Sequence, residues 1–172
     1  MDGDSNTPDP MIAELFRSAR TIAVIGIKDR PTEDAFRVPE YMQQAGYRIV
    51  PINPKLNTVL GEPCHADLAG IGGSIEEAID IVNLFRASEH IPGHVDEILA
   101  LDPRPTAVWM QLGIHHGPSA QRLREAGIDV IQDRCIMVDH RNLVAGSPRV
   151  ADAQPMSDVR SDDGASAISE PE

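Results

Sequence analysis

The segment TIAVIGIKDRP, residues 21–31, decides the fold. Thr21–Ile25 is nearly all apolar, short, and stopped by Gly26. A run of that length and composition reads as a strand buried on both faces, the kind that parallel sheets use. The same signature recurs at Tyr47–Ile52 (YRIVPI), Ile79–Phe85 (IDIVNLF), Thr106–Met110 (TAVWM) and Ile128–Ile131 (IDVI). A polar loop, Lys28 to Asp34, follows the first of these strands.

Helical patterns separate the strands. Met11, Ile12, Leu15 and Phe16 form an apolar stripe that predicts a helix over 10–19, with Asp9 as its cap and Pro10 in the first turn. Val38–Ala45 predicts a second helix closed by Gly46, which Pro39 permits only from the first turn. Ser88 is the predicted cap of a helix over 89–101. Ser119–Ala126 forms another, ended by Gly127, and Cys135–Arg141 a short last one. Between 61 and 73 the pattern suggests a short strand or turn near Pro63–His65 and a short helix near Asp67–Leu68. Strands alternating with helices imply an α/β fold, a three-layer Rossmann-like doubly wound parallel sheet with right-handed crossovers.

The chain has 172 residues, enough for one core but not for two ordinary domains. Hydrophobic residues make up 41% and aromatics only 3%, so the core must be aliphatic. Residues 1–8 (MDGDSNTP) read as an unstructured lead. From 147 to 172 the chain turns Ser/Asp/Ala/Pro-rich without apolar periodicity, the mark of a disordered acidic tail. The domain is thus expected to span 9–146.

The formal charge is −12, which argues against generic nucleic-acid or anionic-membrane binding. Local cations and backbone N–H groups can still hold a specific anion. Cys64 and Cys135 are far apart and fit no zinc spacing, so no metal site is expected. No targeting segment or spanning run is visible, and a cytoplasmic location is the default expectation.

In an open parallel sheet the ligand lies beyond the carboxyl ends of the strands. The first such loop, Gly26-Ile27-Lys28-Asp29-Arg30, is not GxGxxG, but Lys28 and Arg30 beside a helix start suit phosphate. The second strand ends in Asn53-Pro54-Lys55 and lacks the carboxylate that NAD-binding domains place on the ribose. A ribose bearing a phosphate fits better, as in coenzyme A or NADP. Arg86 follows the third strand directly, where a charge can meet an anion. Gln111 ends the fourth strand, while Trp109 reads as core. Asp133-Arg134-Cys135 follows the fifth, and Cys135, beside Arg134 at a helix start, is the candidate reactive thiol. None of His65, His90, His94, His115 and His116 has an evident paired carboxylate and nucleophile, so no catalytic residue is assigned.

The stretches VIGIKDRP (24–31), FRVPEYMQQAGYRIVPINP (36–54), IDIVNLFR (79–86), AVWMQLG (107–113) and GIDVIQDRCIMVDH (127–140) carry a resemblance. The chain resembles stand-alone CoA-binding proteins related to the nucleotide-binding domain of the succinyl-CoA synthetase α subunit. The resemblance implies that strand-end loops hold the ADP part of coenzyme A. Gly26, Ile27 and Lys28 would approach the pyrophosphate, with Arg37 at the start of the next helix. Asn53 and Pro54 would border the adenosine, and Phe85 and Arg86 would flank the nucleotide. Gln111, Arg134 and Cys135 would line the path toward pantetheine. Family members usually carry small residues where this chain has Lys28 and Pro39. The synthetase subunit's second domain, which bears a phosphorylated histidine, has no counterpart here. A non-catalytic binder of coenzyme A or acyl-CoA, acting as sensor, carrier or partner subunit, is therefore the leading reading. A small NADP-dependent oxidoreductase, or a partner-binding module with a vestigial nucleotide site, is the alternative. A homo-oligomer or an unidentified protein partner remains open.

Overall fold

A computed structural model describes residues 6–71 and 77–145. Five parallel strands form the main sheet: β1 (Thr21–Ile25), β2 (Arg48–Ile52), β5 (Ile81–Leu84), β6 (Ala107–Met110) and β7 (Asp129–Ile131). Their order, β2-β1-β5-β6-β7, is that of a doubly wound sheet. The register is continuous: Ile22 pairs with Ile49 on one side and Ile81 on the other. Five helices cover the sheet: α1 (Asp9–Ser18), α2 (Asp34–Gln44), α3 (Pro92–Leu99), α4 (Gly117–Glu125) and α5 (Ile136–Leu143).

Successive residues of a strand point to opposite faces, and the core divides accordingly. Ile22 and Val24 join Ile12 and Phe16 of α1, Val38 and Met42 of α2, and Ile136 of α5. Ala23 and Ile25 join Val95 and Ile98 of α3 and Ala120 and Leu123 of α4. Trp109 is wholly buried in the first core and donates its indole N–H to the Arg134 carbonyl at 2.7 Å. No helix among the described residues is long and apolar enough to cross a membrane.

Several element boundaries differ from expectation. Pro8, not Asp9, is the N-cap of α1, and the Asp9 carboxylate instead pairs with Arg134 at 3.0 Å. α2 starts at Asp34, four residues early, which puts Pro39 inside the helix rather than in its first turn. Ser88 opens only a 3₁₀ turn over 88–90; α3 begins at Pro92, whose fixed φ and missing N–H suit a first turn. α4 is capped by His116, whose Nδ1 accepts from the Ser119 N–H at 3.2 Å. The segment near Pro63 is a small hairpin, β3 (Thr58–Val59) with β4 (Glu62–Pro63), followed by a 3₁₀ turn at Ala69–Ile71.

Both sheet edges are partly covered near their carboxyl ends. On the β2 side, the His65 N–H donates to the Pro51 carbonyl at 2.9 Å and the Asn53 N–H to the His65 carbonyl at 2.8 Å. Arg48 N–H and the Ile52 carbonyl bond inward to β1, so Pro51 lacks its N–H on the outward side, where an edge strand tolerates it. On the β7 side, Asn6 lies alongside Gln132. Its amide donates to the Gln132 carbonyl at 3.0 Å and accepts from the Gln132 N–H at 2.6 Å, while the Thr7 hydroxyl donates to the Val130 carbonyl at 3.1 Å. Asn6 and Thr7 therefore depart from the unstructured lead expected over 1–8; the tail at 147–172 lies outside the described residues.

These three bonds should register in stability. At about 1 kcal/mol each, the double substitution Asn6→Ala/Thr7→Ala is expected to cost roughly 1–3 kcal/mol in urea unfolding. No change would return these residues to an unstructured lead.

Candidate functional site

The chain leaves β1 toward the α2 face and leaves β5 toward the α3 face. The switch point therefore lies between these two neighbouring strands, and a crevice opens at their carboxyl ends. Gly26 stands at its floor. The Phe85 N–H donates to the Ile25 carbonyl at 2.8 Å, and the Gly26 N–H donates to the Ile52 carbonyl at 3.0 Å. Gly26 has φ of +87°, and a Cβ on it would lie 2.4 Å from the Phe85 carbonyl oxygen. Glycine is needed here on both counts.

The loop after Gly26 is held by a gap in the next helix. Pro39 has no N–H to offer the carbonyl of Ala35 four residues back. The backbone N–H of Lys28 fills that acceptor at 3.2 Å. The Lys28 N–H is thus occupied, while its exposed side chain lines the cleft described next. Ile27 buries its side chain completely and contributes only backbone. Its carbonyl accepts from Asn53 Nδ2 at 2.7 Å, while Asn53 Oδ1 accepts from the Lys55 N–H at 2.8 Å. The Asn53 side chain is a brace between the first two loops.

Around these loops lies a cleft of about 300 Å³. Of the predicted residues, Gly26, Lys28, Asn53, Pro54, Phe85 and Arg86 line it. The Arg86 stem passes over Gly26, its Cδ 3.4 Å from where a Cβ would stand. Lys28, Lys55 and Arg86 form no ion pair among the described residues. Asp67, His94 and Glu97 also line the cleft and were not predicted. Asp67 accepts the Gly70 N–H at 2.7 Å. His94 Nδ1 lies 2.5 Å from Glu97 Oε2, so His94 does have a paired carboxylate, one helical turn away on α3. That spacing was visible inside the predicted helix.

Besides the buried Ile27, four predicted residues lie outside the cleft lining. Arg37 is exposed in the first turn of α2 and pairs with Asp34. Gln111 is only 3% exposed and cannot face a pocket; its amide bonds to Asn83 at 2.9 Å and lies 3.4 Å from the Ile136 N–H. Arg134 is held by Asp139 at 2.7 Å and Asp9 at 3.0 Å. Burial opposes its charge, but the two carboxylates outweigh that and raise its pKa. Cys135 is the N-cap residue of α5 and packs against the core of that face.

The fold and cleft define a class: a doubly wound α/β domain with a crevice at the switch point that carries three cations and two carboxylates. Residues 20–141 match the CoA binding domain family, and the chain belongs to that family. It is 40% identical over 129 residues to the uncharacterized protein YneT of Bacillus subtilis (strain 168), covering 75% of this chain and 91% of that protein. The structure of cell-free ID.343 from Thermus thermophilus matches with a TM-score of 0.71 at 38% identity, over 80% of this chain and 99% of that one. A hypothetical protein from Pyrococcus horikoshii OT3 matches with a TM-score of 0.71 at 28% identity, over 80% and 92% of the two chains.

Two measurements probe the site's construction. Gly26→Ala must force the β1–β5 joint apart and should cost at least about 1–3 kcal/mol in denaturant unfolding, as strained positive-φ positions do. Cys64 offers a pH test. Burial pushes its thiol above the ordinary value of 9.0, and its Sγ lies 3.5 Å from the Asn53 carbonyl. The unfolded chain then ionises first as pH rises, so this stabilisation is present below the ordinary value and lost above it. Wild-type stability should fall more steeply above about pH 9 than that of Cys64→Ala; parallel curves would refute this.

Proposed function

We propose that this chain binds coenzyme A or an acyl-CoA, seating the ADP part in the switch-point cleft, without catalysing a reaction of its own. The observation that carries the reading is that Lys28, Lys55 and Arg86 line the same cleft as Gly26. Three cations without ion partners among the described residues line one crevice of a chain with formal charge −12. Cations free of ion partners suit a ligand with several phosphates. Lys55 at the β2 tip, where NAD-binding domains carry a carboxylate, suits a phosphorylated ribose. Family membership supports the same ligand. Gln111, Arg134 and Cys135 lie outside the cleft lining and have no part in this reading.

Coenzyme A should raise the melting temperature more than NAD, NADP or ATP does. At a ligand concentration of 100 times Kd the gain is about 2.7 kcal/mol. Arg86→Ala and Lys28→Ala should each weaken binding more than about tenfold, since a charge-assisted contact contributes roughly 1.5–3 kcal/mol. Equal shifts with all four ligands, or unchanged affinity in both variants, would overturn the assignment.

A further inference from the structure

One wall of the cleft, built by α3 and the segment at 66–71, carries a group that phosphate binding does not use. Glu97 is anchored on two sides. Its Oε1 accepts the Leu68 N–H at 3.1 Å, and its Oε2 meets His94 Nδ1 at 2.5 Å. An ionised carboxylate only accepts, so the proton between them belongs to Nδ1. In the neutral ring the other nitrogen, Nε2, is then an acceptor. The side chain of His94 is 18% exposed, it lines the cleft, and Nε2 has no protein partner among the described residues. Lys28, Lys55 and Arg86 can only donate, which suits phosphate oxygens. His94 presents the opposite character in the same cleft.

We infer that His94 is a specificity-determining residue for the ligand's nucleoside: Nε2 accepts a hydrogen bond from an N–H or O–H donor on it, and Glu97 positions the ring by fixing its tautomer. This rests on the nucleotide reading above and adds what the cleft selects. The donor is either the exocyclic amine of the base or the ribose 2′-hydroxyl. A site built around an acceptor rejects an analogue that lacks the donor, because the acceptor is left unpaired.

Two experiments test this. The first is ¹⁵N NMR of the ligand-free protein at pH 8. Wild type should show His94 protonated on Nδ1, and Glu97→Ala should lose that signature while remaining folded. The second is calorimetry with ADP, purine riboside 5′-diphosphate, which lacks the amine, and 2′-deoxy-ADP, which lacks the hydroxyl. Wild type should prefer ADP about tenfold over one of the two analogues, and which one identifies the donor. His94→Ala should level that preference while still binding, and His94→Gln, which restores an acceptor, should recover part of it. A wild-type ring protonated on Nε2, or an undiminished preference in His94→Ala, overturns the inference and leaves the coenzyme A reading standing. Failure of ADP and coenzyme A alike to bind wild type overturns both.

Discussion

Everything in the cleft is referred to one close approach, that of Gly26 to the carbonyl of Phe85. β1 and β5 stay hydrogen-bonded to their last residues, and the chain must then leave β1 across the end of its neighbour. A single hydrogen atom is all that fits between them. The backbone is pinned there, and the loops that carry Lys28 and Arg86 start from it. Pro39 reinforces the arrangement from outside. A proline within a helix normally means a lost bond, yet here the orphaned Ala35 carbonyl serves as the socket for Lys28.

The strands were legible because each is buried on both faces, so composition alone identified them. The ends of the helices were not. α2 begins at Asp34 through backbone geometry at Glu33, with no side-chain cap to announce it. The β3–β4 hairpin has strands of two residues, too short to show any period, and exists through pairing. At the site, the rule that ligands sit at strand ends brought out Gly26, Lys28, Pro54 and Arg86. It also selected Gln111, Arg134 and Cys135, because a position at a strand's end says nothing about distance from the switch point or about which face the side chain joins. His94 and Glu97 come from the body of a helix, which the strand-end rule does not address.

Arg86 and Arg134 show why cations in equivalent loops diverge. Both follow a parallel strand directly or nearly so. Arg134 meets Asp139 from its own helix and Asp9 from α1, and its charge is spent holding elements together. Arg86 meets no carboxylate among the described residues and lies across the glycine floor. The difference comes from what packs nearby, which depends on residues more than a hundred positions away in the chain for Asp9 and Arg134.

The covered flanks of the sheet bear on how such molecules behave when crowded. An open parallel sheet offers two rows of unsatisfied backbone groups to any other extended chain. Here the row on β2 is engaged by His65, and the one on β7 by the Asn6 amide and the Thr7 hydroxyl. The amide of Asn6 mimics a peptide group, closing the flank without a sixth strand. A second copy pairing at these stretches would have to displace bonds already made. On the β7 side, strand recruitment at Gln132 would first require displacing Asn6.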